Sequence, residues 1–347
     1  MAGTHRLVAA FVALFFARVA PADAAPPAPP AEPAAVRQSV ERGIGYLQTE
    51  SAAWLGQRKC AACHHAGMPL WALGEAGRRG YAVDRKYLAD TIEANLGSPE
   101  KLIASRLVPG PKDPPDTRPM ARGVNMGLPF LAVAARSMPS LEPGQIRSLR
   151  RIADEIVRKQ QPDGSWEFFL SRPPINQSQA TDVAWNLMAL QGETGPDAPP
   201  ANSAAIEKGL AWLAGAEPDS REAKVLKLLV AVRAGKPRDG LQTTIDELLA
   251  LQRPDGGWSQ IAGAGGDAFA TGQMLYVLAL AGLTTDRPEI RRAVDYLVAT
   301  QKADGSWPMT SRATPDGKPG SAKLLTPITC AASSWAVMAL ATVTPNH

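Results

Sequence analysis

From about residue 36 to the C-terminus, two kinds of apolar pattern alternate. One is amphipathic, with apolar residues at helical spacing and polar residues between them, as in 245–251 and 294–300. The other is apolar almost all round. It predicts buried helices over 60–74, 120–136, 180–192, 224–234, 270–282 and 330–343. The tails of these helices align: Trp71-Ala72-Leu73, Met188-Ala189-Leu190, Leu278-Ala279-Leu280 and Met338-Ala339-Leu340. The pattern is therefore all-α and made of six helix pairs. A double ring is expected, with the apolar helices inside. The alternative is an open solenoid of six hairpins. Closure is preferred because neither end carries a polar capping repeat.

Between the helices a short element recurs. Gln160, Asp163, Gly164 and Trp166 keep the spacing of Gln252, Asp255, Gly256 and Trp258, and of Gln301, Asp304, Gly305 and Trp307. Gln48 and Trp54 repeat the outer spacing without the Asp-Gly pair. That pair predicts a turn in which Gly takes positive φ. The Trp intervals fit two, two and one units of roughly 50 residues, the range of helical repeats. Trp and Gln are read here as structural, the indole covering a loop and the amide capping a neighbouring helix end.

This repeat resembles that of the squalene–hopene cyclases and related terpene cyclases. The double ring resembles the (α/α)6 toroid they share with protein prenyltransferase β subunits and lanthipeptide cyclases. The resemblance implies a single (α/α)6 toroid over 36–347. It does not fix chemistry, because one fold hosts many functions. Class II terpene cyclases carry an Asp-x-Asp-Asp acid, and no such tetrad occurs in this sequence. A class II cyclase is therefore not the expected reading.

Composition narrows the rest. Of 347 residues 45% are hydrophobic, enough for a large core, and 37 Lys+Arg against 33 Asp+Glu leave a charge of only +4. No nucleic-acid partner is expected. Arg6, the apolar run 7–16 and Ala22-Asp23-Ala24 read as a signal peptide over 1–24. Residues 25–35 read as a Pro/Ala-rich tether. A periplasmic or secreted protein follows, not integral to the membrane after cleavage.

The candidate chemistry is concentrated in one cluster. Cys60, Cys63, His64 and His65 hold two of the three cysteines and every internal histidine, since His5 lies in the signal segment and His347 is terminal. Cys60-x-x-Cys63-His64 has the attachment pattern of c-type haem. Thiols at i and i+3 share a helix face and can bond the two vinyl-derived carbons, and the next imidazole, His64, can reach the iron. Haem attachment belongs to exported proteins, so pattern and compartment agree. The expected function is redox chemistry or electron transfer, with a redox partner protein or a small apolar molecule. No sixth ligand is assigned among Met120, Met126, Met188, Met274 and Met338.

The competing cofactor is zinc, held by Cys60, Cys63, His65 and Cys330. Aligning the helix tails carries Cys63 onto Cys330, and a closed ring makes their helices neighbours. The Cys63-His64 pair with Cys330 resembles the lanthipeptide-cyclase set. This reading implies a zinc-dependent prenyltransferase-like or lanthipeptide-cyclase-like enzyme, or a zinc-stapled binding protein. However, the Gly that follows Cys-His in lanthipeptide cyclases is His65 here, and the prenyltransferase Asp-x-Cys element is missing before Cys330. A third reading is a metal-free scaffold for an isoprenoid or a protein. The ring centre, with Trp71, Trp185 and Trp335, suits a flat apolar guest, either a polyprenyl chain or a porphyrin; the alternative is a ring filled by its own side chains. Arg122, Arg172 and Lys323 fall near the mouth, where helix N-termini attract anions. So do Asp182 and Asp267, the latter as an N-cap.

Overall fold

The computed structural model describes residues 30–58, 63–97, 123–168, 171, 173–193, 199–310 and 328–346. Of residues 57, 58, 63 and 64 it describes only the backbone. The signal peptide, most of the tether, Cys60, Met120, Arg122, Arg172 and Lys323 lie outside the described residues.

Twelve helices are described. The first pair is α1 (Pro33–Arg58) and α2 (Met68–Arg78), the second α3 (Arg85–Leu96) and α4 (Gly127–Ala135). The third is α5 (Pro143–Arg158) and α6 (Gln179–Gln191), the fourth α7 (Pro200–Gly215) and α8 (Arg221–Arg233). The fifth is α9 (Gln242–Leu249) and α10 (Ala268–Leu280), the sixth α11 (Pro288–Thr300) and α12 (Ile328–Val343). Among the described residues there is no strand; Gln160 and Trp166 form an isolated bridge. Helix α1 starts at Pro33, so residues 33–35 of the expected tether are helical. Proline suits a first turn, whose N–H would have no partner.

The even-numbered helices pack in the order α2, α4, α6, α8, α10, α12 and back to α2, which closes the inner ring. Their composition requires it: α4 and α12 are buried nearly all round. The odd-numbered helices bury one stripe only. In α5 that stripe includes Leu149, Ile152, Ala153 and Ile156. Inner helices approach closely where side chains are small: a Cβ on Gly272 of α10 would stand 2.6 Å from the Trp335 and Ala336 backbone of α12.

The repeat element holds each outer helix to the next. Trp166, Trp258 and Trp307 are fully buried, and their indoles donate to the carbonyls of Ile156, Leu248 and Leu297 near the end of the preceding helix. The amide Nε2 of Gln160, Gln252 and Gln301 donates to its own turn, at Gly164, Gly256 and Gly305, and across to Ala205, Glu289 and Ser39. Gly164, Gly256 and Gly305 have φ of +94°, +85° and +87°. A Cβ on each would meet the carbonyl of Lys208, Arg292 and Arg42 on the next outer helix. The last of these contacts lies on α1, so the sixth pair docks on the first as the third and fifth dock on their successors. Ala31 N donates to Asp295 at 2.7 Å, across the same seam.

Gln48 and Trp54 differ. They lie inside the continuous helix α1, and no turn interrupts it. Without Asp-Gly nothing stops the helix, and Gln48 accepts instead from Asp84 N, ahead of α3.

Candidate cofactor site at the mouth of the ring

Four rings from inner helices meet at the axis. Trp71 of α2 lies 5.8 Å from Trp185 of α6, 5.7 Å from Tyr276 of α10 and 5.2 Å from Trp335 of α12, all edge-on. Edge-to-face packing is the favoured aromatic geometry. Helices α2 and α6 are not neighbours, nor are α2 and α10, so these contacts span the ring. Phe130 of α4 packs on Trp185 at 4.0 Å. All five rings are buried. At this level the ring is filled by its own side chains, the second of the two expectations for its centre.

The mouth lies at the inner-helix N-termini. There the backbone of Cys63–Gly67 forms a π turn leading directly into α2. Pro69 has no N–H to give to the carbonyl of His65, four residues earlier. Ser51 Oγ of α1 donates to that carbonyl instead. A π turn inside a helical run is a recurrent feature of functional sites. Within the segment predicted as one helix from residue 60, residues 63–67 are thus this turn, and α2 follows.

The His65 ring is buried and stacks on Trp54 of α1, with centroids 4.0 Å apart and planes 10° from parallel. Cys330, in the first turn of α12, is buried and hydrogen-bonded to the Tyr46 hydroxyl of α1. Burial, with a smaller push from Glu50, raises its thiol to about 12 against the Tyr46 hydrogen bond. Cys330 is therefore a protonated thiol at neutral pH. The π turn packs on α1, α4 and α12, so the turn that carries Cys63 and His65 and the helix that carries Cys330 are neighbours. Cys60, and the side chains of Cys63 and His64, lie outside the described residues. Among the described residues no three His, Cys, Asp or Glu side chains gather as metal ligands. Met68, Met188, Met274 and Met338 are buried core residues, and Met126 packs partly buried at the start of α4.

Asp267 caps α10, accepting from Ala270 N at 2.8 Å, as its position predicts. Asp182 is more unusual. It lies in the first turn of α6 and is 2% exposed. Asn176 Nδ2 donates to its Oδ1 at 3.2 Å and Asn186 Nδ2 to its Oδ2 at 3.0 Å. Thr181 Oγ1 donates to Asn176 Oδ1 at 2.7 Å and so fixes that amide. Burial raises the Asp182 carboxyl to about 7, with the two amides opposing. The sequence places Asp182 near the mouth but gives no sign of this burial, because Thr181-Asp182 reads as an ordinary acidic first turn.

The comparisons with known proteins follow this architecture. Residues 217–346 match the family model described as the squalene-hopene cyclase C-terminal domain. A crystal structure of a protein from Actinoplanes is 14% identical with a TM-score of 0.53, covering 89% of this chain and 99% of its own. A variant of the type II terpene cyclase MstE from Scytonema, in complex with geranylgeranyl dihydroxybenzoate, is 14% identical with a TM-score of 0.50. A second MstE variant, in complex with merosterolic acid A, is 13% identical with a TM-score of 0.51. Both matches cover 90% of this chain and 98% of the cyclase. No curated protein matches the chain in sequence. The chain thus has the all-α toroid fold of the terpene cyclases. At such identities the likeness is one of fold. Among the described residues no helix is long and apolar enough to cross a membrane.

Proposed function

We propose that this chain is an exported toroid carrying one covalently attached c-type haem at the mouth of its ring. Cys60 and Cys63 supply the thioether bonds, each thiol adding across a vinyl group, and His64 is the proximal iron ligand. Its work is then electron transfer or haem redox chemistry on a partner protein or a small apolar molecule. The observation that carries this reading is the Cys60-x-x-Cys63-His64 spacing, which ends on a π turn beside the mouth. Two features support it. The axis below is occupied by Trp71, Trp185, Tyr276, Trp335 and Phe130, which leaves the mouth as the place for a large planar group. Cys330, which the zinc reading needs beside Cys60 and Cys63, is hydrogen-bonded to the Tyr46 hydroxyl instead.

The second reading is a scaffold for a small isoprenoid-like molecule, favoured by the fold shared with a cyclase in complex with a geranylgeranyl compound. One experiment separates the readings: expression with a cytochrome c maturation system, followed by absorption spectroscopy, metal analysis and intact-mass measurement. Haem predicts a Soret band that survives acid-acetone extraction, a mass gain of one haem, loss of both in Cys60→Ser, and indifference to Cys330→Ser. A colourless protein ends the haem reading. Stoichiometric zinc lost in Cys330→Ser then points to the zinc site, and no metal at all to the scaffold.

A further inference from the structure

The fourth helix pair lacks the recurrent element. Its outer helix α7 joins α8 through Ala216-Glu217-Pro218-Asp219-Ser220, with no Gln, Gly or Trp. In the third, fifth and sixth pairs that element docks on the next outer helix in one register. Gln160, Gln252 and Gln301 donate to the carbonyls of Ala205, Glu289 and Ser39. The turn glycines abut Lys208, Arg292 and Arg42, three residues further on in each case. The next position is small, Gly209, Ala293 and Gly43. At the two glycines an added Cβ would stand 3.2 Å from the Trp166 ring and 3.1 Å from the Trp307 ring, so the indole lies over this position.

The same register carries over to the helices around the fourth pair. Leu248 of α9 and Leu297 of α11 both accept an indole N–H, which sets α9 against α11. Gly240, just before α9, then corresponds to Glu289, and Thr244 to Ala293. On α7, Leu213 stands where Ile156, Leu248 and Leu297 stand. Leu213, Gly240 and Thr244 line one cavity of about 260 Å³ between α7, α8 and α9. Buried Leu228, Val230 and Leu241 give it apolar walls. None of the chain's eight Trp lines it. The fourth pair thus keeps a socket of the kind that an indole fills in three other pairs.

The polar half of the missing element is replaced. Lys227 Nζ donates to the Ala214 and Ala216 carbonyls at 3.0 and 2.9 Å and so satisfies the end of α7. Lys236, which is exposed, also lines the cavity. Among the described lining residues these two are the charged ones, and both are positive.

We propose that this cavity is a binding site for a small planar aromatic acid, one ring system of indole size bearing a carboxylate. The ring lies between Leu213, Leu241 and Thr244, and the carboxylate faces the two ammonium groups. Burying a flat aromatic surface supplies the attraction, and the cations select the acid. Pockets for drug-sized molecules run from about 300 Å³ upward, so this one suits a single bicyclic ring. The site belongs to the outer layer and is independent of any cofactor at Cys60, Cys63 and His64.

The test is NMR titration of the full chain, read on its methyl groups, with indole-3-acetate, indole and tryptamine. Indole-3-acetate is expected to bind with a Kd of about 1 mM or tighter, and tryptamine more weakly than indole. Lys236→Glu, at an exposed position, should weaken indole-3-acetate at least about threefold and leave indole unchanged. Thr244→Phe, which places a ring in the socket, should abolish binding of both. No shift at about 10 mM indole-3-acetate overturns the proposal. So does binding that survives Thr244→Phe, or tryptamine binding as tightly as indole-3-acetate. Should Thr244→Phe fail to fold, nuclear Overhauser contacts in the native protein decide. Contacts from the bound ring to the Leu213 and Leu241 methyls support the site, and contacts only to other methyls refute it.

Discussion

Gly305 and Gly282 allow the seam contact to be measured apart from backbone strain. Both have φ of +87°. Around Gly282 the nearest atom to an added Cβ is Arg238 Nη1, at 3.8 Å, an ordinary contact with a flexible side chain. Gly282→Ala therefore reports only the cost of an L-residue at positive φ, about 1 kcal/mol. At Gly305 the same Cβ runs into the carbonyl of Arg42, so the turn must move off α1. That movement takes with it the 2.8 Å bond from Gln301 Nε2 to Ser39 O and the 2.8 Å bond from Ser39 Oγ to Gln301 Oε1. Two such hydrogen bonds are worth about 2 kcal/mol together. Gly305→Ala is thus expected to lose about 3 kcal/mol, and Gly164→Ala and Gly256→Ala a similar amount, since their Cβ atoms meet Lys208 and Arg292 in the same way. Urea denaturation followed by circular dichroism gives each value. Equal losses in Gly305→Ala and Gly282→Ala would show that the turn's conformation matters and its docking does not.

Further outcomes follow from the same contacts. Trp307→Phe leaves the buried carbonyl of Leu297 without its indole donor and should cost about 2 kcal/mol in chemical denaturation; a loss below about 0.5 kcal/mol argues against the indole as a helix cap. Asp182 has a folded value near 7, above that of an unfolded aspartate, so its contribution is full in acid and is lost as pH rises through 7. The loss has an upper bound of about 4 kcal/mol, and in Asp182→Asn the thermal midpoint should no longer fall over this range. Burial pushes Glu75 up, but the guanidinium groups of Arg78 and Arg79 outweigh it and hold the carboxyl below its usual value. That stability is present above the unfolded value and disappears as pH falls through the folded one. Glu75→Gln should therefore cost about 1–2 kcal/mol at neutral pH and almost nothing in strong acid, with an unchanged difference between the two pH values counting against the ion pairs.

The architecture was legible because the repeat writes it several times. Three copies of the Gln-to-Trp element and the aligned Ala-Leu tails set the number of pairs, and nearly uninterrupted apolar character marked the inner helices. Their starts are harder to read: within the helix expected from residue 60, residues 63–67 form a π turn, where Pro69 has no N–H for the His65 carbonyl and Ser51 supplies the donor. Gln48 and Trp54 show the opposite limit, since a spacing kept without its Asp-Gly pair gives no turn at all. The cysteine and histidine cluster was visible as a motif, and the fold adds its neighbourhood, with Trp54 over His65 and Tyr46 at Cys330. Asp182 could be placed near the mouth from sequence, but not its burial. Its burial depends on Asn176 in a preceding loop and on Asn186 one turn on, and amides at those positions carry no signature of their own.

The seam that joins the sixth pair to the first has a consequence for synthesis. Gln301 and Ser39 are 262 residues apart, and α2 finds its partner α12 only once all the helices between them have been made. A nascent chain leaving the ribosome therefore holds an arc whose first inner helix has one side uncovered. Folding should show a late, slow phase set by this long-range joining, even though each hairpin is local. Such an arc also offers chaperones a bare apolar flank at α2 until α12 has emerged.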